Sequence, residues 1–146
     1  MKRFAFKLEK LLELRTFHEK KAELVLAEKA GRCALLEERL REIAESRVRA
    51  SRDMFARGRD IADFRASELY IMRLDRERDK VIKELALAEA EREAARAVYI
   101  EKHRDREAID KLRERREAEY YRAAEREDIK AIDDIPRRQT AMQGGY

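Results

Sequence analysis

Four sets of residues in this 146-residue chain have side chains that do chemistry: His18 and His103, Cys33, the pair Asp133-Asp134, and the arginines of Arg113-Glu114-Arg115-Arg116 and Arg137-Arg138. If the chain folds back near residue 60, His18 comes opposite His103, where the two could ligate a metal. A zinc site needs a second pair of donors, and none is visible, so the histidines read as surface or seam residues and no metal is expected. Cys33 cannot form an internal disulfide, and its place on an apolar stripe makes it a small buried residue. Adjacent aspartates on a helix point apart, so Asp133 and Asp134 read as solvated rather than as an acid–base pair. The arginine runs could touch phosphates. A basic-zipper protein, however, needs a basic run continuous with a clean heptad zipper, and the acidic residues here contradict that. Gly31 and Gly58 are isolated and form no phosphate-cradling loop. No catalytic constellation and no cofactor site emerges, so the chain is expected not to be an enzyme.

The elements that carry these residues are legible in the composition. Charged residues make up 47% and hydrophobic ones 44%, with one Pro, four Gly and no Trp. That is the make-up of long helices and coiled coils. Disorder fits less well, because the apolar residues recur periodically. A rod that buries one narrow stripe needs few apolar residues per charged one. The net charge of +4 is a small excess of 36 basic over 32 acidic side chains, interleaved so that the field largely cancels beyond a Debye length. The opening Met1-Lys2-Arg3-Phe4-Ala5-Phe6-Lys7 reaches Glu9 and Lys10 without an apolar stretch fit for a signal peptide, and no membrane span is visible. A cytoplasmic location with a reduced Cys33 and no membrane insertion is expected.

A first helix is predicted over about residues 6 to 56. Its seam runs through Cys33, Leu36, Leu40, Ile43, Arg47, Ala50 and Met54 at alternating steps of three and four. Glu28/Arg32, Glu37/Arg41 and Glu45/Arg49 are acid-before-base pairs that support a solvated helix. The pattern breaks between Arg57 and Phe64. There Gly58 can stop one helix in a left-handed conformation, and Asp60 or Asp63 can cap the next. A second helix follows over about residues 64 to 135, with Ile71, Leu74, Val81, Leu85, Ala88, Ala95, Tyr99, Ile109, Tyr120 and Ala123 on its seam. Arg78, Arg92, Arg106, Arg113 and Arg116 interrupt it. Pro136 is expected to end the helix and leave a flexible tail over 137–146. The expected fold is all-α: one domain over 1–136, a long antiparallel two-helix coiled-coil hairpin turned at about 57–64, its second helix the longer. At 1.5 Å per residue the helices measure roughly 75 and 105 Å. The N-terminus then pairs near residue 115, and about residues 118–135 overhang with Tyr120, Tyr121, Ile129, Ile132 and Ile135 exposed.

Two stretches resemble the flagellar export protein FliJ family. One is Phe4-Ala5-Phe6-Lys7-Leu8-Glu9-Lys10-Leu11-Leu12-Glu13-Leu14-Arg15. The other is Glu101-Lys102 through Asp110-Lys111-Leu112, then Glu119-Tyr120-Tyr121, Asp128 and Asp133-Asp134-Ile135. Length, hairpin topology and turn position are similar as well. The resemblance implies a non-enzymatic, cytoplasmic component of the flagellar type III protein export apparatus, peripheral at the flagellar base and shaped like the stalk of a rotary ATPase. It implies binding to the export ATPase hexamer, whose assembly and activity it promotes. Tyr120, Tyr121, Asp128, Ile132, Asp133, Ile135, Leu8 and Leu11 are the candidate ring-binding residues. It also implies contact with the cytoplasmic domain of the export-gate membrane protein, for which Ile43, Tyr70 and Leu74 are candidates, with Ser46 and Ala50 small where bulkier residues would be expected. Escort of export chaperones is a further implied role.

Two alternatives share this fold. One is a nucleic-acid-binding helical protein acting through Arg113 to Arg116 with a steep salt dependence. The other is the equivalent stalk of a virulence secretion system. The sequence leaves oligomeric state and the escorted cargo open.

Overall fold

The computed structural model describes residues 2–144. They form two helices, α1 (Glu9–Met54, 46 residues) and α2 (Ile61–Gln143, 83 residues). The longer second helix packs back against the first, which is the all-α antiparallel hairpin the heptads predict. Described by contacts, the chain falls into two compact units: Lys20–Glu101, and the residues up to Glu19 together with those from Lys102 onward.

The unit Lys20–Glu101 holds the turn. Ala56 N–H donates to the Asp53 carbonyl at 3.1 Å as α1 ends, and Gly58 takes a φ of 87°. Only glycine adopts that left-handed conformation without a Cβ penalty. Asp60 then caps α2: its Oδ1 accepts the Asp63 N–H at 2.8 Å, while Asp63 Oδ2 accepts the Asp60 N–H at 3.4 Å. This reciprocal pair is a capping box with aspartate in both roles. Because Asp60 rather than Asp63 is the cap, α2 begins three residues before its expected start. Phe55 and Phe64 meet edge to face across the turn, with ring centroids 6.2 Å apart.

Within this unit the seam is thin and regular. Cys33 is 1% exposed and Ile43 2%, and Leu74, Val81, Ala88 and Ala95 are buried at every seventh position of α2. Ile43, Leu74 and Val81 form a cluster flanked by Leu36 and Leu40. Charged residues beside the seam pair across it: Arg47 with Asp75 at 2.7 Å, Arg39 with Glu77, and Lys29 with Glu91 at 3.2 Å. Arg78, which interrupts the seam in sequence, pairs with Asp75 and Asp79 of its own helix. The expected acid-before-base pairs within α1 are replaced in part. Arg41 takes Glu38 and Arg39 takes Glu42, both three residues apart, while Arg49 donates to Ser46. On a helix surface the three- and four-residue neighbours compete at a few tenths of a kcal/mol, so such exchanges cost little.

In the other unit, Leu12 is the buried apolar residue of α1. Glu9 pairs with Arg113 at 3.6 Å, Arg15 with Asp105 at 3.3 Å, and Glu19 with both His103 and Arg106. In both units, partners lie about equally far from residue 60, the register expected for a fold-back there.

The expected stop at Pro136 is not where α2 ends. The helix continues through Pro136 to Gln143. Proline removes the bond its own N–H would make and crowds the carbonyl four residues back, but it suits the first position of a helical stretch. Here no packed neighbour opposes the adjustment, and the ladder resumes beyond it, with Thr140 Oγ1 donating to the Pro136 carbonyl at 2.6 Å. The expected tail is therefore helical over residues 137–143, and its last two residues lie outside the described ones.

Candidate functional site

The N-terminal lead, residues 2–6, is not helical, and it runs along α2. Tyr120 Oη donates to the Lys2 carbonyl at 2.7 Å, and the Phe4 and Tyr120 rings lie 5.6 Å apart. Tyr121 meets Tyr120 edge to face at 5.5 Å. Phe4, Phe6, Leu8, Leu112, Arg116 and Tyr120 line a cleft of about 580 Å³. The expected overhang is corrected accordingly: at its start Tyr120 has an intramolecular partner in the lead. Ala124 is the last partly covered residue of α2, and every described residue from 125 onward is exposed.

That exposed end is amphipathic. Tyr121, Asp128, Ile135 and Met142 repeat every seventh position, Ile132 falls between them three residues before Ile135, and Ile129 flanks the row. At 3.6 residues per turn these positions form one stripe. Tyr121, Ile129, Ile132, Ile135 and Met142 are all substantially exposed. The stripe is bordered by Glu125, Glu127, Asp133 and Asp134, with Arg137 and Arg138 beyond them.

Of the sequence-derived ring-binding residues, the structure gathers Tyr121, Asp128, Ile132 and Ile135 on this stripe, with Asp133 on its flank. Tyr120 and Leu8 belong to the lead's cleft. Leu11 is half-buried beside Leu12. Phe4 and Phe6 of the cleft and Met142 of the stripe are not among the sequence-derived binding residues, whereas Ile129 belongs to the expected exposed overhang. The aromatic spacing Phe4-x-Phe6 before the helix was the available signal for the first pair. The gate-binding candidates are divided between the seam and the surface. Ile43 and Leu74 lie inside the hairpin seam and offer no surface, because each fills the position that holds the helices together; Tyr70 is exposed. Ser46 and Ala50 are half-buried along that seam.

The most enclosed charged group of the same unit is Glu19. Burial pushes its carboxyl up, but hydrogen bonds from His103 (Nδ1 to Oε1, 3.2 Å) and Arg106 outweigh that and hold it below the usual range. Arg106 also reaches Asp110 at 3.2 Å. His103 thus faces Glu19 within an ion-pair network. Cys33 sits in the seam, as its heptad position predicts. Among the described residues no group of three or more His, Cys, Asp or Glu could hold a metal, and no helix is long and apolar enough to cross a membrane.

The model of the family described as "Flagellar FliJ protein" matches residues 4–145, nearly the whole chain. No curated protein and no solved structure matches it.

Proposed function

We propose, for a chain that belongs to the flagellar FliJ protein family and so to the components of flagellar protein export, that the free end of α2 is its docking element for the export ATPase. The observation that carries the reading is the apolar stripe Tyr121–Ile132–Ile135–Met142 on a helix that has lost its partner. An amphipathic helix of this kind lays its apolar face into a surrounding apolar surface, while bordering charges fix its rotation and direction. Seated in the middle of an ATPase hexamer, the end would act as a non-catalytic stalk that favours the assembled ring and raises its turnover. The protein then works in the cytoplasm, peripheral at the flagellar base. Contact with the export gate's cytoplasmic domain falls to exposed residues such as Tyr70, since Ile43 and Leu74 are committed to the seam. Export chaperones are further partners of this reading.

The test is turnover of the purified export ATPase with the full chain and with the double variant Ile132→Asp, Ile135→Asp. Both positions are exposed, so helicity should persist while stimulation falls at least severalfold. Equal stimulation by the variant would remove the stripe from the mechanism.

A further inference from the structure

The turn carries a second exposed apolar group that the ATPase reading does not use. Phe55 is 80% exposed and Ile61 79%, at the two ends of the connection 55–60, and Phe64 stands against Phe55. Arg52 is in the last turn of α1, Arg57 and Arg59 lie in the connection, and Arg65 is in the first turns of α2. Among the described residues none of these four arginines pairs with a carboxylate; Arg59 donates to Ser67 Oγ at 3.0 Å. Three aspartates lie among residues 52–65, and Glu68 follows one turn further along α2. Asp60 and Asp63 turn oxygens toward backbone N–H groups in the capping box, against the positive end of the α2 dipole, and Asp53 sits on the last turn of α1. Over residues 52–65 the four arginines exceed the three aspartates by one charge, and every basic group there is a guanidinium.

We infer that this turn is a contact point for an anionic lipid surface, with Phe55 and Ile61 entering below the headgroups and Arg57 and Arg59 binding their phosphates. Phe55 and Ile61 project from the turn, and the hollow of about 600 Å³ bordered by Arg59, Asp60, Ile61, Ala62 and Phe64 is shallow and open, without the enclosed fit that a small molecule requires. A bilayer demands no such fit. It accepts projecting apolar groups and rewards flanking cations, and arginine meets phosphate through paired N–H bonds. The contact is a touch by a few side chains and involves no membrane-spanning segment. Charge complementarity selects an anionic surface over a zwitterionic one.

The chain has no tryptophan, so Phe55→Trp supplies a single reporter at an exposed position. The full-length F55W protein is mixed with vesicles of phosphatidylcholine alone, and with vesicles of phosphatidylcholine and phosphatidylglycerol in equal parts. The expected result is a blue-shifted emission and co-sedimentation with the mixed vesicles alone. Adding Arg57→Gln and Arg59→Gln should weaken binding on the order of tenfold, and Ile61→Ser should reduce the blue shift. Far-UV circular dichroism verifies that each variant remains helical. Unshifted emission with mixed vesicles overturns the inference, even if the protein sediments, because binding would then run through another basic face. A shift produced equally by phosphatidylcholine vesicles, or by a polynucleotide in place of lipid, also overturns it. Vesicle binding and ATPase stimulation are separate readouts, so failure of one leaves the other intact.

Discussion

At the residue scale, the structure turns on side chains whose roles differ from what their types suggest. Glu19 is a charged residue beside the seam of a two-helix coil, yet it is held by His103 and Arg106. Its folded pKa is depressed, so the stabilisation is present above the ordinary carboxylate range and is lost as pH falls through the folded value. Glu19→Gln should cost on the order of 1 kcal/mol at neutral pH. The gap between variant and parent should close in acid, which urea unfolding at neutral and acidic pH measures directly. Tyr120 is the other such residue. Tyr120→Phe removes only the hydrogen bond to the Lys2 carbonyl, for an expected cost of about 1 kcal/mol or less. Tyr120→Ala also removes the ring beneath Phe4 and should release the lead, seen as faster amide exchange over the first few residues with α1 and α2 unchanged. Neither role was legible in the sequence. Glu19 lay outside the readable apolar ladder, and the Tyr120 partner lies more than a hundred residues away in a segment without periodicity.

At the scale of elements, more was legible, because helices follow local rules. The seam through Cys33, Leu36, Leu40 and Ile43 and the stop at Gly58 follow from spacing and residue type, and of the two caps the sequence allows, Asp60 and Asp63, the structure uses Asp60. The two interior glycines make a paired test. At Gly58 an added Cβ meets nothing within 4 Å, so Gly58→Ala should cost about 1 kcal/mol through the left-handed backbone alone. Gly31 lies in open space within α1, so Gly31→Ala should instead stabilise by about 0.5–1 kcal/mol. Thermal unfolding of the two variants should shift in opposite directions. Pro136 shows where local rules overreach. Its type predicts a boundary, but near an exposed terminus its penalty is small enough for α2 to continue to Gln143. Ile43 and Leu74, both on the seam that the heptads predict, are buried in the hairpin, which leaves Tyr70 as the exposed one of the three gate candidates.

At the scale of the whole molecule, the hairpin leaves unequal helices: 46 residues in α1 against 83 in α2. Sequence arithmetic predicts that inequality, because the turn falls well before the middle of the chain. What it misses is that the non-helical lead keeps the register of the coil, Lys2 meeting Tyr120 as Glu9 meets Arg113, so the pairing runs on past the start of α1. The free end consequently begins beyond Ala124, several residues later than the helix lengths alone imply. This boundary separates the part that holds the fold together from the part available to another protein. The central claim is that the second part docks to the export ATPase. The most direct measurement is ATPase turnover with a chain ending at Ala124 compared with the full chain. The shortened protein should remain helical and unfold cooperatively while its stimulation drops to the level of the ATPase alone. Undiminished stimulation by the shortened chain would contradict the account.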